Sequence, residues 1–288
     1  MLPTQVQAAI RELDSDNTRQ TARRPVRFGI LAADESLVDE ILEFLFPPPL
    51  RVEHEKIVRI ASESDSRRVD VGFSEPGWSH PPHSYDFDRQ DPRLSADRLI
   101  DDSDETLWLP LAAQFPGFRR AVSEKLIMKI AIENTLFAAA TSLPNVVPTP
   151  LGVPWIVGEF ASDMVVLTVN QVRLCFLLAA AHGYNVGADR QFAQIGSIVG
   201  TAFGWRGLAR LGVSKLPAGA GVAAKALIAF AGTYAVGRGL ELWFREGRKP
   251  SRAAWRKLYE DATVRGRAEV QRVVGRLRLR SQAAEEAA

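Results

Sequence analysis

The sequence carries a single cysteine, Cys175, among 288 residues. One thiol excludes an internal disulfide framework and fits a reducing compartment. Acid is missing from a long stretch. Between Arg190 and Leu240 there is no aspartate or glutamate, while Arg190, Arg206, Arg210, Lys215, Lys225 and Arg238 are basic. No Gly-Lys-Ser or Gly-Lys-Thr triplet occurs anywhere, so the loop whose backbone amides and lysine surround nucleotide phosphates is absent. Long hydrophobic runs are also scarce. The charge-free windows 174–188 and 191–205 hold 15 residues each, against about 20 for a helix that crosses a bilayer. A longer window, 134–158, is interrupted by Pro144, Pro148, Pro150 and Pro154, which break helices because proline lacks the amide hydrogen. The opening MLPTQVQAAIRELDSDNTRQ lacks the basic start and apolar core of a signal peptide, so synthesis in the cytoplasm without export is expected.

What charge there is lies unevenly. The net value is only +2, too small for a global field directed at nucleic acid. Acid concentrates between Asp86 and Glu105, and a second basic block runs from Arg252 to Arg280. This asymmetry predicts that one end meets an anionic surface.

Periodicity suggests a mainly α chain preceded by a small α/β unit. Residues 1–24 are polar and read as a flexible arm with room for a short helix. "VRFGIL" (26–31) has the apolar run of a buried strand, and "SLVDEILEFLF" repeats Leu37, Ile41, Leu42 and Leu45 at helical spacing. Pro47, Pro48 and Pro49 end that helix. "EKIVRIA" and "RRVDVGFS" add two strands, closing an α/β unit over 25–75. Residues 76–106 are rich in Pro, Asp, Ser and Arg and predict an exposed acidic linker. From 107 to 246 the pattern is helical. One helix carries Val122, Leu126, Ile130 and Ala138 on a stripe, and one or two run from Pro154 to a stop at Gly183. Others span about 190–212 and 218–246, and a basic amphipathic helix fills 251–288. The helical part is expected to be a bundle or a set of membrane-associated hairpins.

Glycines sharpen that choice. Gly196, Gly200 and Gly204 lie four apart, although each costs a helix roughly 1 kcal/mol relative to alanine. Ala223, Leu227, Ala231, Ala235 and Gly239 form a matching stripe. Two such stripes let helix axes approach closely, in lipid or in a tight soluble hairpin. Close packing of one stripe on the other is therefore expected. Basic residues reaching towards headgroups would come from Arg206, Arg210, Lys215, Arg252, Arg256, Lys257, Arg272 and Arg276.

Three segments carry a family resemblance. "LTVNQVRLCFLLAAAHGYNVG" (167–187), "KLPAGAGVAAKALIAFAGTYAVGRGLELWF" (215–244) and "ENTLFAAATSLPNVVPTP" (133–150) resemble domain of unknown function 697, the YcjF-like family of bacterial helical domains. The likeness covers about 120–246 and rests on patterns of small and apolar residues. It implies a helical, membrane-associated architecture, often found behind a GTPase domain. In this chain the GTPase would have to be a separate partner, because Asp34 and Glu35 put negative charge at the turn where phosphates would sit. The α/β unit is thus expected to be a Rossmann-like remnant, or an unrelated α/β piece, that binds no nucleotide.

Few residues assemble into chemistry. Cys175 and His182 are seven residues apart, about 10.5 Å along one helix, far beyond the roughly 3 Å of proton transfer; a core thiol and a helix-end histidine are the plainer readings. His80, His83, Asp86 and Asp88 are metal-ligand types, but their loop lacks the closed spacing of a structural site. Glu159 and Asp163 share a helical face, and with Asn170, Gln171 and Arg173 they predict a polar seam between helices. A hydrolase using the two carboxylates would need a nucleophile that is not evident. The sequence therefore leads to a non-enzymatic scaffold or regulatory protein on the cytoplasmic face of the bacterial inner membrane. Its expected partners are anionic lipid and a GTPase, with self-association open and no cofactor, metal, nucleotide or nucleic acid. A soluble helical adaptor is the alternative.

Overall fold

The computed structural model describes residues 13, 15–61, 65, 67–77, 83–141, 163–198 and 221–286. The chain is mostly helical with a small parallel sheet near its N-terminus. It divides into two compact units, one of Ser15–Lys125 with Ala179–Val186, the other of the described residues of Leu126–Leu178 and Gly187–Ala288.

The sheet unit begins with α1 (Ser15–Arg23). Strands β1 (Phe28–Leu31), β2 (Ile57–Arg59), β3 (Val71–Ser74) and β4 (Ser84–Asp86) follow, in the spatial order β2-β1-β3-β4 and all parallel. Phe28 lies opposite Ile57 on one side and Val71 on the other. Parallel neighbours need a crossover connection, and α2 (Glu35–Leu45) supplies it between β1 and β2. Asp34 caps α2 by accepting the Ser36 amide, and Leu37, Val38, Ile41 and Leu45 face inward. Phe28, Phe73, Phe87, Phe115 and Phe118 are fully buried. Phe73 and Phe87 have ring centroids 5.1 Å apart, and Phe28 and Phe73 meet edge-on at 5.2 Å.

The acidic linker expected over 76–106 is corrected. Strand β4 pairs with β3, and α3 (Pro92–Asp102) follows it with Ala96, Leu99 and Ile100 buried. Asp91 caps α3 by accepting the Leu94 amide, and Pro92 occupies the first turn, where its missing amide hydrogen costs nothing. Helix α4 (Glu105–Gln114) starts the same way, with Asp104 accepting from Thr106. The division between the two units accordingly falls after Lys125, later than the expected change at 107.

Helix α5 (Arg119–Ala140) and α6 (Asp163–Ala181) enter the helical unit with α7 (Gly221–Glu246) and α8 (Arg252–Glu286); residues 192–198 are also helical. On α5 the expected stripe of Val122, Leu126, Ile130 and Ala138 is buried throughout. Helix α6 ends as expected at Gly183, whose φ of 79° is left-handed; the amides of Gly183 and Tyr184 then bond back to Ala180 and Ala179. Helix α7 buries Phe230, Ala231, Tyr234, Ala235 and Leu240 and packs along α8.

Candidate functional site

The turn after β1 is where a nucleotide-binding sheet presents free amides to phosphate. Here two of those amides already have partners. The Ala33 amide donates to Glu75 at 3.0 Å and the Ser36 amide to Asp34 at 2.9 Å. The Ser36 amide, together with Arg89, holds the Asp34 carboxyl below its usual range, and the Arg59 guanidinium does the same for Glu35. Arg59 grips Glu35 with two bonds of 3.0 and 3.1 Å, and Arg89 pairs with Asp34. The crevice is ionised, acidic and internally bonded.

The polar seam is present in the helical unit. Asn170 donates to Asn134 at 2.7 Å, Asn134 donates to Thr233 at 2.8 Å, and Gln171 reaches Thr233 at 3.4 Å. Arg173 pairs with Glu133 at 3.1 Å. These bonds join α5, α6 and α7. Of the expected members, Asn170, Gln171 and Arg173 are brought together, Glu159 lies outside the described residues, and Asp163 opens α6. Sequence reasoning missed Asn134, Thr233 and Glu133. Asn134 could have been found, being the one amide in the apolar run "IAIENTLFAAA".

Cys175 is fully buried, and burial pushes its thiol well above the usual range, which keeps it protonated and unreactive at neutral pH. His182 lies 3.4 Å from the Ser123 hydroxyl, both side chains being buried. His80 falls outside the described residues. His83 uses its carbonyl to accept the Gly72 amide, and the Asp88 carboxylate accepts from Gln90 and Asp91. Among the described residues no cluster of three or more His, Cys, Asp or Glu could hold a metal.

Close glycine packing exists, but with different partners from those expected. A Cβ built on Gly196 meets no atom of the described residues within 4 Å, the Ala223, Ala231 and Ala235 stripe included. On Gly239 it would lie 2.1 Å from the Trp255 ring of α8, and on Gly237 2.8 Å from Ile127 of α5. The expected packing of Gly196 on the α7 stripe is therefore corrected. An indole from α8 and an isoleucine from α5 fill the room that the glycines leave. Gly200 and Gly204 lie outside the described residues, as do Arg206, Arg210 and Lys215.

Helix α8 is the strongest candidate for a contact surface. Its apolar side is used internally. Trp255 seats on Gly239, Gly266 lies against Phe230 and Leu227, and Ala262, Val270, Val273 and Val274 are buried. Arg265 bonds the Tyr234 hydroxyl at 3.0 Å and sits over its ring. Arg252, Arg256, Lys257, Arg267 and Arg272 are exposed along the length of α8, with Glu260 and Asp261 exposed among them. Arg272 pairs with Glu269 at 3.0 Å and Arg256 only loosely with Glu260 at 3.9 Å. Arg252, Lys257 and Arg267 make no ion pair among the described residues. Arg276 belongs to the same helix. Among the described residues no helix is long and apolar enough to cross a membrane. No protein-family model matches the chain, and no curated protein or solved structure matches it at a significant level.

Proposed function

We propose that this chain is a non-enzymatic scaffold or regulatory protein of the YcjF-like type. It rests on the anionic cytoplasmic leaflet of the bacterial inner membrane and holds a separately encoded GTPase. The observation that carries the membrane part is the exposed surface of α8, where Arg252, Lys257 and Arg267 form no ion pair among the described residues. Each cation near an anionic leaflet contributes about 1 kcal/mol of attraction. Because the apolar side of α8 lies on α7, the attachment is peripheral and electrostatic, without insertion of that helix. The partner GTPase rests on the family resemblance alone.

Co-sedimentation of the full chain with phosphatidylglycerol and phosphatidylcholine vesicles tests this reading. Binding to the anionic vesicles is expected at about 0.05 M salt and should disappear towards about 0.5 M, as the screening length shortens. Binding should be absent on the neutral vesicles. A soluble helical adaptor would sediment with neither, and that result would replace the membrane reading. Binding that survives high salt would contradict the electrostatic attachment.

A further inference from the structure

The parallel sheet has two electrostatically different edges. At the carboxyl ends of the strands, where open α/β sheets usually hold ligands, stand Asp34, Glu35, Glu75 and Asp88. The arginines there, Arg59 and Arg89, are already engaged by Glu35 and Asp34. The amino edge has the opposite sign. Arg27 directly precedes β1, Lys56 directly precedes β2, and Arg23 closes α1. With Arg19 these side chains line a cleft of about 550 Å³, in which Glu55 is the single acid among the lining residues. Arg19 pairs with Asp16 and Lys56 with Glu53. Arg23 and Arg27 form no ion pair among the described residues.

The backbone that presents these two arginines is held in place. The Gln114 amide oxygen accepts from Val26 at 3.3 Å, and its nitrogen donates to the carbonyls of Arg24 at 2.8 Å and Pro110 at 3.1 Å. The Arg27 amide donates to Asp70 at 2.9 Å. A clamped backbone lowers the ordering cost of binding. One wall of the cleft is Tyr184, 45% exposed and set by the left-handed turn at Gly183. A cleft lined by two arginines and an exposed aromatic ring suits a ligand with an anionic end and a carbon skeleton. The volume falls within the range of about 300–1,000 Å³ typical of small-molecule sites, which favours a metabolite-sized ligand over a polymer.

We propose that this cleft binds a small phosphorylated molecule carrying at least two negative charges. Arg23 and Arg27 grip the phosphate, because the planar fork of arginine donates paired hydrogen bonds that match phosphate oxygens. The Tyr184 ring covers the ligand's carbon skeleton. This site is separate from the exposed surface of α8 and stands without the membrane reading.

Calorimetry on the full chain at low salt, with inorganic pyrophosphate and a sugar bisphosphate as probes, decides the matter. Saturable binding of both is expected, tighter for the sugar bisphosphate because Tyr184 adds contact to its skeleton. The double variant Arg23→Gln/Arg27→Gln should weaken binding by about tenfold or more, as charge-assisted bonds are lost. Arg89→Gln at the opposite edge of the sheet should leave the affinity unchanged. If the double variant does not fold, Arg23→Gln alone changes one exposed side chain at the end of α1 and should weaken binding in the same direction. Absence of saturable heat with either probe would overturn the proposal, and so would an equal loss on Arg89→Gln. The double variant should still bind anionic vesicles as the native chain does. If it does not, a lipid headgroup supplies the phosphate and the free-ligand site is wrong.

Discussion

The interiors of the two units are filled in different ways. The sheet unit packs large rings, with Phe28, Phe73, Phe115 and Phe118 all fully buried around short strands. The helical unit relies on small residues such as Ala131, Ala231 and Ala235, and it threads a chain of amides and hydroxyls through Asn134, Asn170 and Thr233. Rings fill volume with side chains, so their loss leaves a cavity. Small residues fill it by close approach of helices, so their enlargement forces helices apart. Buried polar groups between helices add a demand for partners that a hydrocarbon core does not make. The same chain thus has one unit sensitive to truncation and another sensitive to growth and to lost hydrogen bonds.

The largest expected effect breaks the aromatic side of that contrast. Phe73 touches the rings of Phe28, Phe87 and Phe118, so Phe73→Ala should cost about 3–5 kcal/mol. Hydrogen exchange should show the loss in β1 and β3 amides. Uniform loss of protection in α7 as well would merge the two units into one cooperative block.

Asn134→Leu comes next. It removes the acceptor of Asn170 and a donor to Thr233, both buried. Stranding buried partners costs about 1–3 kcal/mol each, and denaturant unfolding followed in the helical unit should register it. An unchanged midpoint would mean that the seam contributes nothing to stability.

A smaller effect has opposite signs at two glycines. Gly239→Ala should destabilise by about 1 kcal/mol despite the better helix former, because the new Cβ meets the Trp255 ring. Gly196→Ala enters open space and should stabilise by about 0.5–1 kcal/mol. Thermal melts of both variants are the check, and shifts of the same sign would remove the packing argument.

The smallest effect concerns acid. Asp34 has its folded-state pKa lowered from 3.8, first by the Ser36 amide and then by Arg89. A depressed pKa means that the ionised form is favoured in the folded state. The stability it adds is present above the unfolded value and is lost as pH falls through the folded one. Asp34→Asn should therefore flatten the decline in stability below pH about 4 and leave the slope near neutrality unchanged. An identical acid profile would show that the cap does not couple to folding.

Some of this was readable from short patterns and some was not. The runs "FGIL" and "VGFS" announce buried parallel strands, being apolar without alternation. Asp34 before an apolar repeat announces α2, and Gly183 announces the end of α6. Helix α3 was hidden because Ala96, Leu99 and Ile100 are its only buried apolar positions among aspartates and arginines. Its caps at Asp91 and Pro92 were the better signal. Of the small-residue stripe on α7, Gly239 meets the Trp255 ring; a stripe states how much room exists and not which side chain enters it. Trp255 comes from α8, and Ile127, which meets the neighbouring Gly237, comes from α5. Half of the polar seam was legible for the same reason. Asn170 and Gln171 stand out within α6, while Thr233 matters only because α7 brings it to them. The meeting of Arg23, Arg27 and Lys56 is likewise made by the sheet.

The central claim is that the exposed surface of α8 carries the chain to an anionic membrane. Its most direct test is the affinity for phosphatidylglycerol vesicles of the native chain and of Arg252→Gln/Lys257→Gln/Arg267→Gln. All three residues are exposed, so the variant should fold with unchanged helical content and melting temperature. Three lost charges at about 1 kcal/mol each near the surface should weaken binding by about a hundredfold. Equal binding of the two proteins, or no binding by the native chain, would contradict the account.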